Sequence, residues 1–229
     1  MTTNKAAAIS WSGGKDSCLA WVLAREQGWD VPHFFTSLDE QGQSKAHGLP
    51  EALLATQVKA TGAQWWPQRV SSAQYAQVLG QMMREYQSRG CFAMIFGDID
   101  LLAHREWIEK QCALHEMQPL FPLWGMTREQ VSAAIMDRGI RPRIVSVNTS
   151  MLSSDFCGRE YDAAFVASLP LEVCCCGEEG EFHSFVWDAP GFTAPLQLAP
   201  FTSDQLRREV AQPPMRPVEL VIHTPHLIA

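Results

Sequence analysis

The sequence predicts an α/β protein: a mostly parallel sheet with helices on both faces, followed by a smaller α+β portion. Three observations carry this expectation. Short apolar runs alternate with longer stretches of helical periodicity over residues 1–148, as repeated strand–helix units require. The helical stretches stop at Gly28, Gly62, Gly90 and Gly139, the residue type that closes helices. Beyond Asn148, Pro and Gly become denser and helical periodicity fades. The organisation expected is therefore residues 1–148 as one α/β unit and 149–229 as a smaller α+β unit.

"KAAAISW" reads as the first strand, and Ser17 to Gln27 as the helix after it. "HFFTSL" is the second strand. In "LPEALLATQVKATG", Leu49, Leu53, Leu54 and Val58 recur at helical spacing. "QWWPQRV" is a weaker third strand, because Pro67 lacks the N–H that a central strand needs. Ser72 is placed as the cap of a long helix reaching Arg89. "CFAMIFGDI" is the strongest strand, apolar on both faces as a central parallel strand should be. "AHREWIEKQCALHE" follows as a helix, and "QPLFPLW", with two prolines, as a short extended piece. Thr127 and Gln130 form a capping box for the helix "TREQVSAAIMDRG". "RPRIVSVN" closes the first unit as a strand. In the second unit "EFHSFVWD", "PLQLAP" and "PVELVIHT" read as short strands.

Composition narrows the partners. An apolar share of 46% and a charged share of 19% describe a globular chain. A net charge of −7 argues against nucleic acid, which calls for a basic face. Arg138, Arg141 and Arg143 are the one local basic group, and three arginines near a strand are commonly a solvated edge. No apolar run approaches the ~20 residues of a membrane span. The N-terminus lacks the apolar core of a secretory signal, and a cytoplasmic location with no membrane partner is expected. Seven cysteines at irregular spacing suit reduced thiols. The run Cys174-Cys175-Cys176 does not fit one tetrahedral zinc, since adjacent side chains on an extended segment diverge. Small apolar packing is the expected role of these thiols.

The richest chemistry lies in "SWSGGKDSCLAW". A strand ending in a Gly-rich turn that opens a helix is an anion site, because unpaired N–H groups and the helix dipole converge there. Gly13 and Gly14 let the backbone approach a phosphate, Ser12 and Ser17 supply hydroxyls, and Lys15 supplies charge. Asp16 would repel phosphate unless it caps the helix or holds a metal, which points to a magnesium–nucleotide. The loop is not a Walker A motif, since Asp16 follows Lys15 where Ser or Thr is needed. An ordinary strand-to-helix turn remains the bland alternative.

"SGGKDS", Ser12 to Ser17, resembles the PP-loop of the ATP pyrophosphatases. "GDIDLLAHREWIEKQC", "PLFPLWGMTREQ" and "CGEEGEFHSFVWDAP" extend the likeness to the subgroup of the diphthine–ammonia ligases, from the first strand to about Phe192. The resemblance implies a Rossmann-like, HUP-type nucleotide-binding sheet and cleavage of ATP between the α and β phosphates. It implies Ser12, Gly13, Gly14, Lys15, Asp16 and Ser17 as ATP ligands, with Asp16 on Mg2+. "SKAH", Ser44 to His47, resembles a segment that lies near ATP, which brings in His47. Gly177 to Ser184 occupies the place of the second signature; members usually carry Gly or Asn at the position of Glu179.

The acidic group Glu172, Glu178, Glu179 and Glu181 reads blandly as a solvated loop. With the resemblance, Glu178 and Glu181 are candidates for holding magnesium or ammonium, with Glu179 less expected. His183 is a candidate general base or a half-buried packing residue. Asp98, at the carboxyl end of the strongest strand, is a better ligand candidate than Asp100, which would cap the next helix. His104 and Arg105 open that helix, and Arg105 is a candidate for a phosphate or the substrate. The implied reaction is adenylation of a carboxylate by ATP, loss of pyrophosphate, and amide formation with ammonia. Its carboxylate would be diphthine on the translation elongation factor where that exists, and otherwise a small metabolite. The alternatives are a non-catalytic ATP-binding sensor and a tRNA-thiolating PP-loop enzyme, the latter opposed by the acidic charge and the lack of C-x2-C. Trp65 or Trp66 would mark a homodimer interface if exposed, and core if not.

Overall fold

The computed structural model describes residues 5–44, 47–202, 206–211 and 218–228. Its first sheet is parallel and contains β1 (Ala6–Ser10), β2 (Asp30–Leu38), β3 (Gln64–Arg69), β4 (Ala93–Ile95) and β5 (Gln118–Leu120). The spatial order is β3-β2-β1-β4-β5. This is the order of half a doubly wound sheet, in which the chain reverses direction between β1 and β4 and leaves a crevice at their carboxyl ends. The connecting helices are α1 (Lys15–Glu26), α2 (Glu51–Thr61), α3 (Tyr75–Ser88) and α4 (Leu102–Leu114). The expected α/β class, mostly parallel and Rossmann-like, is what the chain adopts.

Local chemistry accounts for these elements. Gly62 closes α2 with φ of 75°, a conformation that favours glycine. Pro67 sits on an edge strand, opposite Thr36, where its missing N–H faces no neighbour. The cap before α3 is Ser71 rather than Ser72: Ser71 and Gln74 form a capping box over a 3-10 turn, Ser72–Gln74, which leads into the helix. The nine-residue apolar run yields only three strand residues in β4; Phe96 N still donates to Leu120 O of β5 at 2.9 Å and its ring is buried, after which the chain leaves the ladder. Trp65 and Trp66 are half-buried; Trp65 Nε1 donates to Thr36 Oγ1 at 2.9 Å, and Arg89 lies over Trp66 at 4.8 Å.

α5 (Arg128–Asp137) starts at Thr127, whose side chain accepts from Gln130 N as the capping box requires. The strand after it departs from expectation. β6 (Arg141–Asn148) does not extend the parallel sheet but stands at the centre of an antiparallel one, ordered β7-β6-β9-β8, with β7 (Phe182–Asp188), β8 (Leu206–Ala211) and β9 (Val218–His223). β5 carries Pro119 and is followed by Pro122, so the edge it offers lacks donors for another strand. "PLQLAP" is not a strand; it makes one isolated bridge, Leu198 to Leu227. β8 carried no sequence expectation. A short helix, α6 (Ala163–Ala167), capped by Asp162, covers this part.

The two sheets share one core. Trp11, Trp21 of α1 and Phe34 of β2 pack edge-on and tilted against one another, Trp21 meets Phe192, and Phe165 and Phe182 continue the cluster into the second sheet. The three arginines of the basic group are individually engaged. Arg138 pairs with Glu26 at 3.0 Å, Arg143 with Glu160 at 2.7 Å, and Arg141 lies over Trp187 at 3.9 Å. Among the described residues, no helix is long and apolar enough to cross a membrane.

Candidate active site

The loop Ser12–Ser17 lies at the carboxyl end of β1, beside the reversal point of the sheet. Gly13 holds φ of 84°, and its carbonyl accepts from Val186 N at 3.0 Å and Gln57 Nε2 at 2.9 Å. A Cβ on Gly14 would overlap the His47 ring. Gly97 plays the matching part on β4's side: a Cβ there would reach 3.0 Å from Ser17 N. Ser12 Oγ accepts from Gly14 N at 3.2 Å and lies 3.0 Å from Ser17 Oγ, which in turn donates to Gly14 O at 3.0 Å. At the start of α1 the N–H groups of Lys15, Asp16 and Ser17 have no intrahelical acceptor, and Lys15 N is satisfied by a side chain of β7.

Gln57 is the support that the sequence did not announce. Fully buried on α2 among Leu53, Leu54 and Val58, it accepts from Trp11 Nε1 at 2.8 Å and donates to Gly13 O and to Val186 O at 2.6 Å. It ties β1, the loop and β7 together. A polar residue on an otherwise apolar helix face was the available signal.

β7 brings the second signature to the loop. Lys15 N donates to Ser184 Oγ at 3.2 Å, and Lys15 Nζ lies 5.8 Å from the Phe182 ring. Between the loop and the turn Gly177–Gly180 is a cavity of about 260 Å³, lined by Lys15, Asp16, His47, Gly177, Glu178, Gly180, Phe182, His183 and Ser184. A second cavity, of about 430 Å³, adjoins it and shares His47 and His183, whose rings stack at 4.8 Å. The segment Ser44–His47 falls partly outside the described residues, at positions 45 and 46.

The charges in the cavity are unusual. Lys15 Nζ pairs with Asp16 Oδ2 at 2.8 Å, while Asp16 Oδ1 is buried without a partner. Burial alone would depress the Lys15 ammonium, but Asp16 and Glu178 beside it hold it above its ordinary range. Desolvation of the Glu178 carboxyl, then the charge of Asp16, push Glu178 up to about 7. Glu178 itself stands at the exposed rim of the cavity, so the charge of Asp16 is the more durable of the two causes. Burial, then Lys15, lower His183 to about 4; burial and His183 itself lower His47 well below its usual value. Both rings are neutral at pH 7.

The remaining candidates lie elsewhere. Glu181 is fully buried and does not line the cavity; its oxygens accept from Cys174 N at 2.8 Å and Glu179 N at 2.9 Å, which shapes the turn. Asp98 makes a short hydrogen bond with His104 Nδ1, which raises the His104 pKa. Arg105 pairs with Glu109 at 2.7 Å and lies over Trp124 at 4.5 Å and Phe121 at 5.1 Å. Asp100 does not cap α4, whose cap position is Leu101; it pairs instead with Arg128 at 2.7 Å. Arg128 also holds Glu179 at 2.7 Å, an engagement that sequence reasoning missed. Cys176 is buried and donates to Arg128 O at 3.0 Å, and Cys174 and Cys175 are half-buried. Among the described residues, no three His, Cys, Asp or Glu side chains are grouped to hold a metal by themselves.

A glycine-rich loop at the reversal point of a parallel sheet, faced by an acidic turn, fits the PP-loop, ATP-utilising class of enzyme to which the family matches point. Two family models match: one described as the diphthamide synthase N-terminal domain over residues 4–119, and one as its C-terminal domain over residues 127–208. The chain belongs to the diphthamide synthase family. No curated protein matches it significantly in sequence. Among solved structures, a predicted subunit of tRNA methyltransferase from Methanocaldococcus jannaschii is similar, with 17% identity and a TM-score of 0.42. That match covers 61% of this chain and 78% of the other.

Proposed function

We propose that the chain is an ATP-dependent amide ligase that adenylates a substrate carboxylate, releases pyrophosphate and transfers the acyl group to ammonia. One observation carries the reading: Lys15 and Asp16 of the PP-loop and Glu178 of the second signature line one cavity. The triphosphate is assigned to the cavity beside the loop, where the Lys15 ammonium and the N–H groups of Asp16 and Ser17 meet its charge; the Ser12 and Ser17 hydroxyls join only by exchanging their bonds within the loop. Asp16 fits Mg2+, because its Oδ1 is buried and unpaired and a single carboxylate completed by phosphate and water oxygens is what this ion takes. Glu178 is a second candidate ligand. When bound, Mg2+ neutralises charge on the phosphates and so eases departure of pyrophosphate.

A carboxylate oxygen attacks the α phosphorus, and the bond from that phosphorus to the bridging oxygen breaks. Ammonia then attacks the acyl carbon, the C–O bond to AMP breaks, and a proton leaves nitrogen. Glu178 lines the same cavity and is the candidate to accept that proton, provided that Asp16 alone holds the ion. His183, with a pKa near 4, is too weak a base for the task and serves as a neutral wall and hydrogen-bonding group beside His47. Glu181 acts by fixing the turn. The carboxylate that accepts the adenylyl group is either diphthine on an elongation factor or a small metabolite. The reading is tested by incubating the protein with Mg-ATP, ammonium and a panel of carboxylates. AMP and pyrophosphate that require one carboxylate support it; ADP and phosphate, or tight ATP binding without turnover, favour a different enzyme or a sensor.

A further inference from the structure

Glu178 and Glu179 are neighbours on one glycine-bracketed turn, with φ of 71° at Gly177 and 84° at Gly180. Glu178 lines the cavity, whereas Glu179 turns outward to Arg128 Nη1 at 2.7 Å. Arg128 Nε reaches Asp100 Oδ2 at 2.7 Å, and Asp100 belongs to the loop between β4 and α4 on the sheet side. The backbone of Arg128 joins in, its carbonyl accepting from Cys176 Sγ at 3.0 Å one residue before the turn. Arg128 itself is fixed as the first residue of α5, directly after the Thr127 capping box. One guanidinium thus bridges the acidic turn of the second sheet and the crevice loop of the first.

We propose that Arg128 is a positioning residue: through Glu179 and Asp100 it clasps the Gly177–Gly180 turn over the cavity and holds Glu178 against bound nucleotide. The inference rests on the ligase reading only in taking this cavity as the triphosphate site. Glu179 is the turn's side-chain partner in the clasp, so a Gly or Asn at that position would leave the turn held by the bonds of Glu181 to Cys174 N and Glu179 N and by Cys176 Sγ on Arg128 O. The pairs are partly solvated, with side-chain exposures of 30% for Arg128, 46% for Asp100 and 59% for Glu179, so the clasp is of the few-fold kind rather than all-or-none.

The test measures dissociation of the non-cleavable analogue α,β-methylene-ATP with Mg2+, in the wild type, Glu179→Gln, Arg128→Ala, the double variant and Arg128→Lys. Each single change is expected to speed release about threefold to tenfold. The double variant should be no faster than either single one, since the pair acts as a unit, and Arg128→Lys should fall between. In turnover, KM for ATP should rise by more than kcat falls. Glu179 is exposed, so Glu179→Gln keeps the fold and reads the clasp even where Arg128→Ala melts early. Additive effects, or no effect of Glu179→Gln, overturn the clasp. So does a loss of kcat in Arg128→Ala with Glu179→Gln unchanged, which would put Arg128 on the phosphates themselves. If the release pattern holds while no carboxylate is turned over, the clasp stands and the ligase reading fails. If the analogue does not bind the wild type, both fall.

Discussion

At Asp16 one carboxylate oxygen is held by Lys15 and the other is buried and unpaired, a costly arrangement unless a ligand completes it. Asp16→Asn should therefore abolish the strengthening of ATP binding by Mg2+, a loss of at least about tenfold in affinity by calorimetry. Glu178 gives a pH-dependent counterpart. Its pKa is raised from 4.5 to about 7, so between these values the folded state binds the proton more tightly than the unfolded one. That contribution to stability is lost as pH rises through the window, and Glu178→Gln should weaken the pH dependence of the denaturation midpoint between pH 5 and 8. His183 has the opposite sign. Its folded pKa, near 4, lies below the ordinary 6.5, so its contribution is present above 6.5 and lost as pH falls towards 4. Replacing it by Asn should relieve on the order of 1–2 kcal/mol of the destabilisation at pH 5, read from urea midpoints.

The loop and its support act as one element. Gly14→Ala would push a methyl group into the His47 ring, and it should cut ATP affinity by more than about tenfold while leaving the far-UV spectrum intact. Gln57→Leu removes three buried hydrogen bonds joining β1, the loop and β7, and it should cost about 2–4 kcal/mol in chemical denaturation as well as loosening nucleotide binding. The elements around this site differed in how plainly the sequence spoke. α2, α5 and the loop were legible because each depends on local chemistry: leucines at helical spacing, a capping box, a Gly-Gly turn. The fate of β6 was not, since an apolar strand reads alike in a parallel and an antiparallel sheet, and the prolines that close β5's edge decide between them only in three dimensions. β8 and the failed strand at "PLQLAP" show the same limit. Within the site, Lys15, Asp16, Glu178 and His183 come together around one cavity. Glu181 looked like its neighbours in sequence, but it turns inward to bind two backbone N–H groups. Arg128 was invisible because both its partners are distant in sequence, at Asp100 and Glu179.

On the proposed reading, the reaction lies where the two sheets meet. β1 and β4 supply the crevice, β7 docks on the loop through Val186 and Ser184, and the shared core from Trp11 to Phe182 keeps the two halves in register. Nucleotide bound as proposed would contact both halves, and saturating Mg-ATP should then raise the melting temperature of the whole chain in a single cooperative transition. A first half that melts separately would contradict that coupling. The most direct test of the central claim follows an oxygen atom. With the carboxylate that supports turnover labelled at both oxygens with 18O, attack of that carboxylate on the α phosphorus predicts one labelled oxygen in the AMP released and none in pyrophosphate. Unlabelled AMP would mean that water, not the carboxylate, attacks ATP, and would contradict the ligase account.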